Sequence, residues 1–180
     1  MMTSFPENIP VICNIAKDYN RILDIGSAFG KYGLLIRETI GSYRSEHGEL
    51  SPDLSDVVID SLENAEYFKQ FPWIEKIYKV CYNEDARKVS KDILNKYGLI
   101  LLIDVIEHWT GEDFIKFMDG INTDVLISTP KNTYMYTDRH YGFDPHITQY
   151  GDASFARFTQ DIYDTNESFI RVIHGVIHST

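Results

Sequence analysis

Five short apolar runs, each separated by a stretch with helical patterning, constrain this 180-residue chain more than any other feature. Residues 21–25 (RILDI), 56–60 (DVVID), 77–82 (IYKVCY), 99–104 (LILLID) and 124–129 (DVLIST) read as strands, several of them nearly continuous Ile, Leu and Val. Runs that are apolar on both faces suit strands of a parallel sheet covered by helices on both sides. Helices are expected at about 30–40, 63–70, 84–96 and 112–120, with an opening helix within 1–20. Residues 157–164 and 168–176 alternate apolar with polar around Asp164-Thr165-Asn166-Glu167, as a terminal antiparallel hairpin would. The expected architecture is α/β: a Rossmann-like, seven-stranded, mostly parallel sheet with helices on both faces and a C-terminal antiparallel hairpin, in one domain spanning 1–180.

Composition removes several function classes. Asp and Glu number 27 against 17 Lys and Arg, a net charge of −10, which repels a phosphate backbone and disfavours nucleic acid and anionic membrane as partners. Cys13 and Cys81 form no C-x-x-C pair, so neither a disulfide framework nor a cysteine metal site is read from them. No apolar stretch reaches a membrane span, and the first residues lack a basic segment followed by an apolar one, so a cytoplasmic location is expected.

The first strand runs into Asp24-Ile25-Gly26-Ser27-Ala28-Phe29-Gly30, where glycines let the backbone bend tightly and approach a ligand. A phosphate-binding G-x-x-x-x-G-K-[ST] loop is one residue too long for Gly26 to Gly30, and Lys31 is followed by Tyr32. The dinucleotide pattern G-x-G-x-x-G fails at Ala28 and Lys31, and Asp24 would face a pyrophosphate. The segment instead resembles the first motif of class I S-adenosylmethionine-dependent methyltransferases, D/E-x-G-x-G/A-x-G, whose ligand is a cation without phosphate.

Asp104-Val105-Ile106-Glu107-His108 is similar to the D-V-L-E-H segment of many such enzymes, and Ser128-Thr129-Pro130-Lys131-Asn132 resembles the S-T-P-N type segment that closes their sites. The resemblance implies S-adenosyl-L-methionine as cofactor, S-adenosyl-L-homocysteine as product, and transfer of a methyl group to O, N or C of a small-molecule acceptor. It places Asp24 near the methionine amino group and Gly26, Ser27, Ala28 and Gly30 beneath the cofactor. Asp60 is expected to take the ribose hydroxyls, with Glu63 the alternative. Asp85 and Ala86, after the third strand, are expected beside the adenine, although capping by Asn83 with acidic residues in the first turn of the next helix explains the segment equally. By the same resemblance Asp104, Glu107 and His108 are expected to border the cofactor and the acceptor pocket, and Val105 the cofactor.

Residues 130–151 form the expected substrate loop. His140, Tyr141 and His146 are its acceptor candidates, and His146 and His108 the candidate catalytic bases, an imidazole being suited to proton transfer near neutrality. No metal is assigned, because the histidines and aspartates of the loop lack fixed spacing. The loop tyrosines suit the walls of a flat acceptor pocket or a homodimer interface. The absence of [DNS]-P-P-[YF] after the fourth strand argues against methylation of nucleic-acid bases. A non-catalytic module of the same fold, binding cofactor or a protein partner, is the competing reading.

Overall fold

The structure, a computed structural model, describes residues 5–48, 54–63, 72–132 and 146–175. In chain order the elements are α1 (Asn8–Ala16), β1 (Arg21–Ile25), α2 (Lys31–Glu46), β2 (Val58–Glu63), α3 (Ile74–Ile77), β3 (Cys81–Asn83), α4 (Lys91–Leu94), β4 (Leu99–Ile103), α5 (Gly111–Met118), β5 (Asp124–Pro130), α6 (Asp152–Phe155), β6 (Gln160–Ile162) and β7 (Ser168–Ile173). Single 3-10 turns occupy Ala86–Lys88 and Ile106–His108.

The seven strands form one sheet in the order β3-β2-β1-β4-β5-β7-β6. The first five are parallel; β7 enters antiparallel between β5 and β6. The order reverses direction between β1 and β4, and in an open α/β sheet that switch point opens a crevice at the carboxyl ends of the strands. Side chains alternate across the sheet as a two-residue period demands. Leu99, Leu101 and Ile103 join Ile12, Cys13 and Ala16 of α1 and Tyr32, Ile36 and Ile40 of α2 on one face. Ile100 and Leu102 join Phe114, Phe117 and Met118 of α5 on the other. The expected Rossmann-like fold and terminal hairpin are therefore present.

Several element boundaries differ from those the pattern predicts: the third strand is Cys81–Asn83 rather than 77–82, and α2 continues past residue 40 to Glu46. The second strand runs to Glu63, because Asp60 and Ser61, 4% and 0% exposed, are accommodated inside the sheet. Residues 74–77 are helical: Ile74 is fully buried and Trp73 Nε1 donates to the Phe29 carbonyl at 3.1 Å, which turns this segment onto the loop before α2. The expected helix over 84–96 is divided by extended Val89 and Ser90 into a 3-10 turn and α4, with Val89 in the core. The expected helix over 63–70 lies largely outside the described residues. Cys13 and Cys81 are both free.

Polar ties hold the antiparallel end. Buried Asn8 at the start of α1 donates to Ser168 Oγ at 2.8 Å and Ser128 Oγ at 3.3 Å, and accepts from Thr165 Oγ1 at 2.9 Å. Arg171, in the middle of β7, has a side chain only 2% exposed. It pairs with Asp164 and, at 2.5 Å, with Asp152, while its guanidinium lies over the rings of Phe155 and Phe169. Asp152 is itself exposed, so the loss of the buried guanidinium is felt through the partly buried Asp164, left uncompensated, and through the vacated packing against Phe155 and Phe169. Arg171→Ala should lower unfolding free energy by about 3 kcal/mol in urea titrations, and Arg171→Met, which retains the packing, by less. Equal stability of the Ala variant and the parent would show that the pair contributes nothing.

Candidate active site

Where β1 stops, Gly26 N–H donates to the Leu62 carbonyl at 3.0 Å, and the chain leaves the sheet. Gly26, Ala28 and Gly30 then adopt φ of +71°, +46° and +87°, three left-handed residues at alternate positions. Gly30 N–H closes the bend on the Ser27 carbonyl at 2.8 Å, and α2 begins at Lys31. A Cβ on Gly26 would stand 2.5 Å from Val105 Cγ2, so glycine lets the loop after β4 close against the bend. Ala28 holds the same handedness at a cost of roughly 1–2 kcal/mol. Its N–H donates to Glu63 Oε2 at 3.0 Å.

Asp24, 2% exposed, lies under this bend. Tyr78 Oη donates to its Oδ2 at 2.5 Å and accepts from Gly33 N–H at 3.3 Å. The Tyr78 ring fits only because Gly33 has no side chain: a Cβ there would fall 2.4 Å from Tyr78 Cε1. Burial, only partly offset by the Tyr78 hydrogen bond and reinforced by the nearby Glu63 charge, pushes the Asp24 carboxyl up to about 7. Burial also drives the Tyr78 hydroxyl far above its ordinary value, so it remains a donor. Neither Tyr78 nor Glu63's bond to the bend was legible from strand patterning; the one sequence trace of Tyr78 is a glycine within the first turn of a helix.

One expected position differs. Asp60 does not end the second strand. It pairs in register with Leu23, and both carboxylate oxygens are engaged, Oδ1 by Val80 N–H at 2.9 Å and Oδ2 by Tyr97 Oη at 2.7 Å. Glu63 stands at the carboxyl end instead. Asp85 caps the turn at Ala86–Lys88, accepting from Arg87 N–H at 3.0 Å, and is paired with the Arg87 guanidinium at 2.8 Å, which holds its carboxyl below the usual range.

At the end of β4, Asp104 takes φ of +54° while its N–H donates to the Ser128 carbonyl at 2.8 Å. Val105 packs against Gly26, which brings the Asp24 and Asp104 loops together. Glu107 is fully buried, and Thr129 Oγ1 donates to its Oε2 at 3.2 Å. Burial and the neighbouring Asp104 charge hold its carboxyl well above the ordinary range. The His108 and His146 rings meet edge to face with centroids 4.8 Å apart, so the two candidate bases are neighbours. His140 and Tyr141 lie outside the described residues.

This strand order, with antiparallel β7 and the left-handed bend after β1, is a Rossmann-like, seven-stranded α/β fold, and solved methyltransferases share it. No protein-family model and no curated protein matches the chain. Solved structures do. It is similar to the PH0226 protein of Pyrococcus horikoshii OT3 (12% identity, 94% of this chain and 88% of that chain, TM-score 0.66). It is also similar to the N-terminal domain of EvdMO1 with SAH bound (12%, 97% and 83%, 0.61). A third likeness is to magnesium protoporphyrin IX methyltransferase from Synechocystis PCC 6803 with bound SAH (12%, 94% and 82%, 0.58).

Two outcomes follow from the strained bend and the buried acid. Ala28→Gly should raise unfolding free energy by about 0.5–1 kcal/mol, relief of the left-handed alanine exceeding the entropy of glycine; a loss of stability would show that the methyl group packs favourably. For Asp24, an unfolded carboxyl titrates near about 3.9, so between pH 4 and 7 the folded state binds more protons and stability falls as pH rises. Urea unfolding across that window should show this decline, on the order of 1 kcal/mol per pH unit at its steepest, flattened in Asp24→Asn. An identical slope in the variant would assign the decline to other groups.

Proposed function

We propose that this chain is an S-adenosylmethionine-dependent methyltransferase acting on an O, N or C nucleophile of a small-molecule acceptor. The observation that carries the reading is the pairing of a buried acid, Asp24, with a left-handed bend at Gly26, Ala28 and Gly30 and a carboxylate at the end of the adjoining strand, Glu63. A sulfonium amino acid joined to a nucleoside asks for negative charge near its ammonium and a bidentate acceptor for its vicinal hydroxyls. A pyrophosphate-bearing nucleotide asks for the opposite charge. Bound SAH in two similar folds supports the same ligand class.

In this reading Asp24 faces the methionine ammonium, Ser27 and the bend lie beneath the cofactor, and Glu63 takes the ribose hydroxyls in place of Asp60. Asp85 and Ala86 border the adenine, Asp104 and Val105 the other side of the cofactor, and His108, His146, His140 and Tyr141 the acceptor. The sulfonium is already a good leaving group. The chain's own contribution is to hold the acceptor in line with the S–CH3 bond and to exclude water, with His146 or His108 available to accept a proton. A cation beside Asp24 favours its ionised form, so cofactor binding releases a proton below about pH 7.

Calorimetry with S-adenosylmethionine and S-adenosylhomocysteine, using NAD and ATP as controls, tests the reading. Selective binding of the sulfur nucleosides is expected, weakened about tenfold or more by Glu63→Gln, the loss of one charge-assisted hydrogen bond being worth about 1.5–3 kcal/mol. Asp60→Ala should lower stability, since Tyr97 and Val80 lose their acceptor, and leave affinity near that of the parent. No binding of either sulfur nucleoside overturns the proposal; loss of affinity in Asp60→Ala at unchanged stability returns the ribose role to Asp60.

A further inference from the structure

Beyond β4, one carboxylate and two imidazoles converge. Glu107, His108 and His146 each bring a ligand atom to within 4.8 Å of the other two, combining adjacent residues of the Ile106–His108 turn with one from the segment before α6. The segments are joined by their backbones: the Glu107 carbonyl accepts from Ile147 N–H at 2.9 Å and Thr148 N–H at 3.1 Å, and Thr148 Oγ1 donates to the Trp109 carbonyl at 2.6 Å. His146 is thus held against Glu107 by hydrogen bonds that do not use either side chain. Glu107 is fully buried, with Thr129 on Oε2 and no hydrogen-bond partner for Oε1 among the described residues. A buried carboxylate oxygen left in this way is expensive unless a donor or a cation completes it.

We infer that Glu107 Oε1 and one ring nitrogen each of His108 and His146 bind a divalent transition ion at the acceptor side of the crevice. Two imidazoles and one carboxylate suit a borderline cation such as Zn2+ or Mn2+, and three protein ligands leave positions open for water or substrate. Tetrahedral coordination at about 2.0–2.1 Å sets ligand atoms about 3.3 Å apart, a distance that small rotations of two half-buried rings reach from the observed one. Thr129 orients the carboxylate from behind, as partners of metal ligands do. The loop's histidines and aspartates lack the fixed spacing that marks a metal site in a sequence, and the meeting of Glu107 and His108 with His146 is made by the fold.

The ion's consequence for chemistry rests on the methyl-transfer reading. An open position selects an acceptor with an oxygen able to coordinate, and a bound hydroxyl loses its proton near neutrality. With the ion bound, the His108 and His146 imidazoles serve as ligands in place of the base role, so in that step the O–H proton leaves to solvent and the oxygen pair forms the O–CH3 bond. The C–S bond breaks with its electrons going to sulfur, giving the methyl ether, S-adenosylhomocysteine and one proton. The acceptor class is then a hydroxylated small molecule.

Tag-free, chelator-treated protein titrated with Zn2+, Mn2+ and Co2+, with Mg2+ and Ca2+ as controls, reads the ion directly by calorimetry and by the visible spectrum of bound Co2+. One transition ion per chain is expected, at least tenfold tighter than Mg2+ or Ca2+. Affinity should fall by tenfold or more in Glu107→Gln and in His146→Ala, circular dichroism confirming the fold. His146 lies outside any helix or strand, so its variant remains informative if Glu107→Gln fails to fold. No binding of any of the three transition ions, or undiminished binding in His146→Ala, overturns the site. Titrating S-adenosylhomocysteine into the same samples separates the two readings: nucleoside binding without metal binding removes only the ion, and metal binding without nucleoside binding removes only methyl transfer.

Discussion

The carboxylate of Asp24 sits at the end of a central strand almost wholly out of water, and the surrounding architecture answers that fact. An isolated buried charge is costly, so the group must hold a proton, gain donors or meet a cation. Tyr78 supplies the donor, and its position requires a glycine at residue 33, a short helix over Ile74–Ile77 to deliver the ring, and the left-handed bend that keeps the start of α2 close above it. The same carboxyl, raised towards neutrality, is poised to ionise when a cation arrives. The burial of Asp24 and the proposed preference for a positively charged ligand therefore rest on the same arrangement.

Acidic groups recur along this edge. Asp24, Glu63, Asp104 and Glu107 come from the ends of β1, β2 and β4 or the turns that follow, and each is drawn towards the crevice by the parallel direction of the strands. Parallel strands deliver all their carboxyl ends to one edge, and loops there meet however far apart they are in sequence. Asp24 is influenced by Glu63, and Glu107 by Asp104: acids crowded along one edge raise one another's carboxyls and give up protons more readily beside a cation. Lys31 beside Asp104 is the nearby counterweight, and its own ammonium is weakened by burial.

The opposite end of the sheet is held differently. Asn8 ties α1 to β5 and β7, and Arg171 neutralises Asp152 and Asp164 from inside an apolar face. Since β5 contributes Thr129 to the Glu107 carboxylate, fixing β7 against β5 also fixes one wall of the candidate site. Stability of the hairpin and geometry at the crevice are mechanically connected through that strand.

Local physics decided much of this protein in advance. Continuous Ile, Leu and Val runs can only be hidden between two helical layers, and Gly26, Ala28 and Gly30 after such a run permit a bend that few other residues adopt, so the parallel sheet, the hairpin and the bend were legible in the chain. What burial requires of a polar residue was not. Asp60 looks like the end of a strand because acids avoid sheet interiors, yet Tyr97 and Val80 satisfy it there and the strand continues to Glu63. Tyr78 reads as one more apolar residue in a run, and only packing against Gly33 turns its hydroxyl onto Asp24. Glu107 and His108 were visible as a pair, whereas their approach to His146 depends on backbone bonds to a segment beyond β5. Period and turn chemistry act between neighbours in the chain; the partners that make a buried polar group tolerable, or reactive, are chosen by the fold.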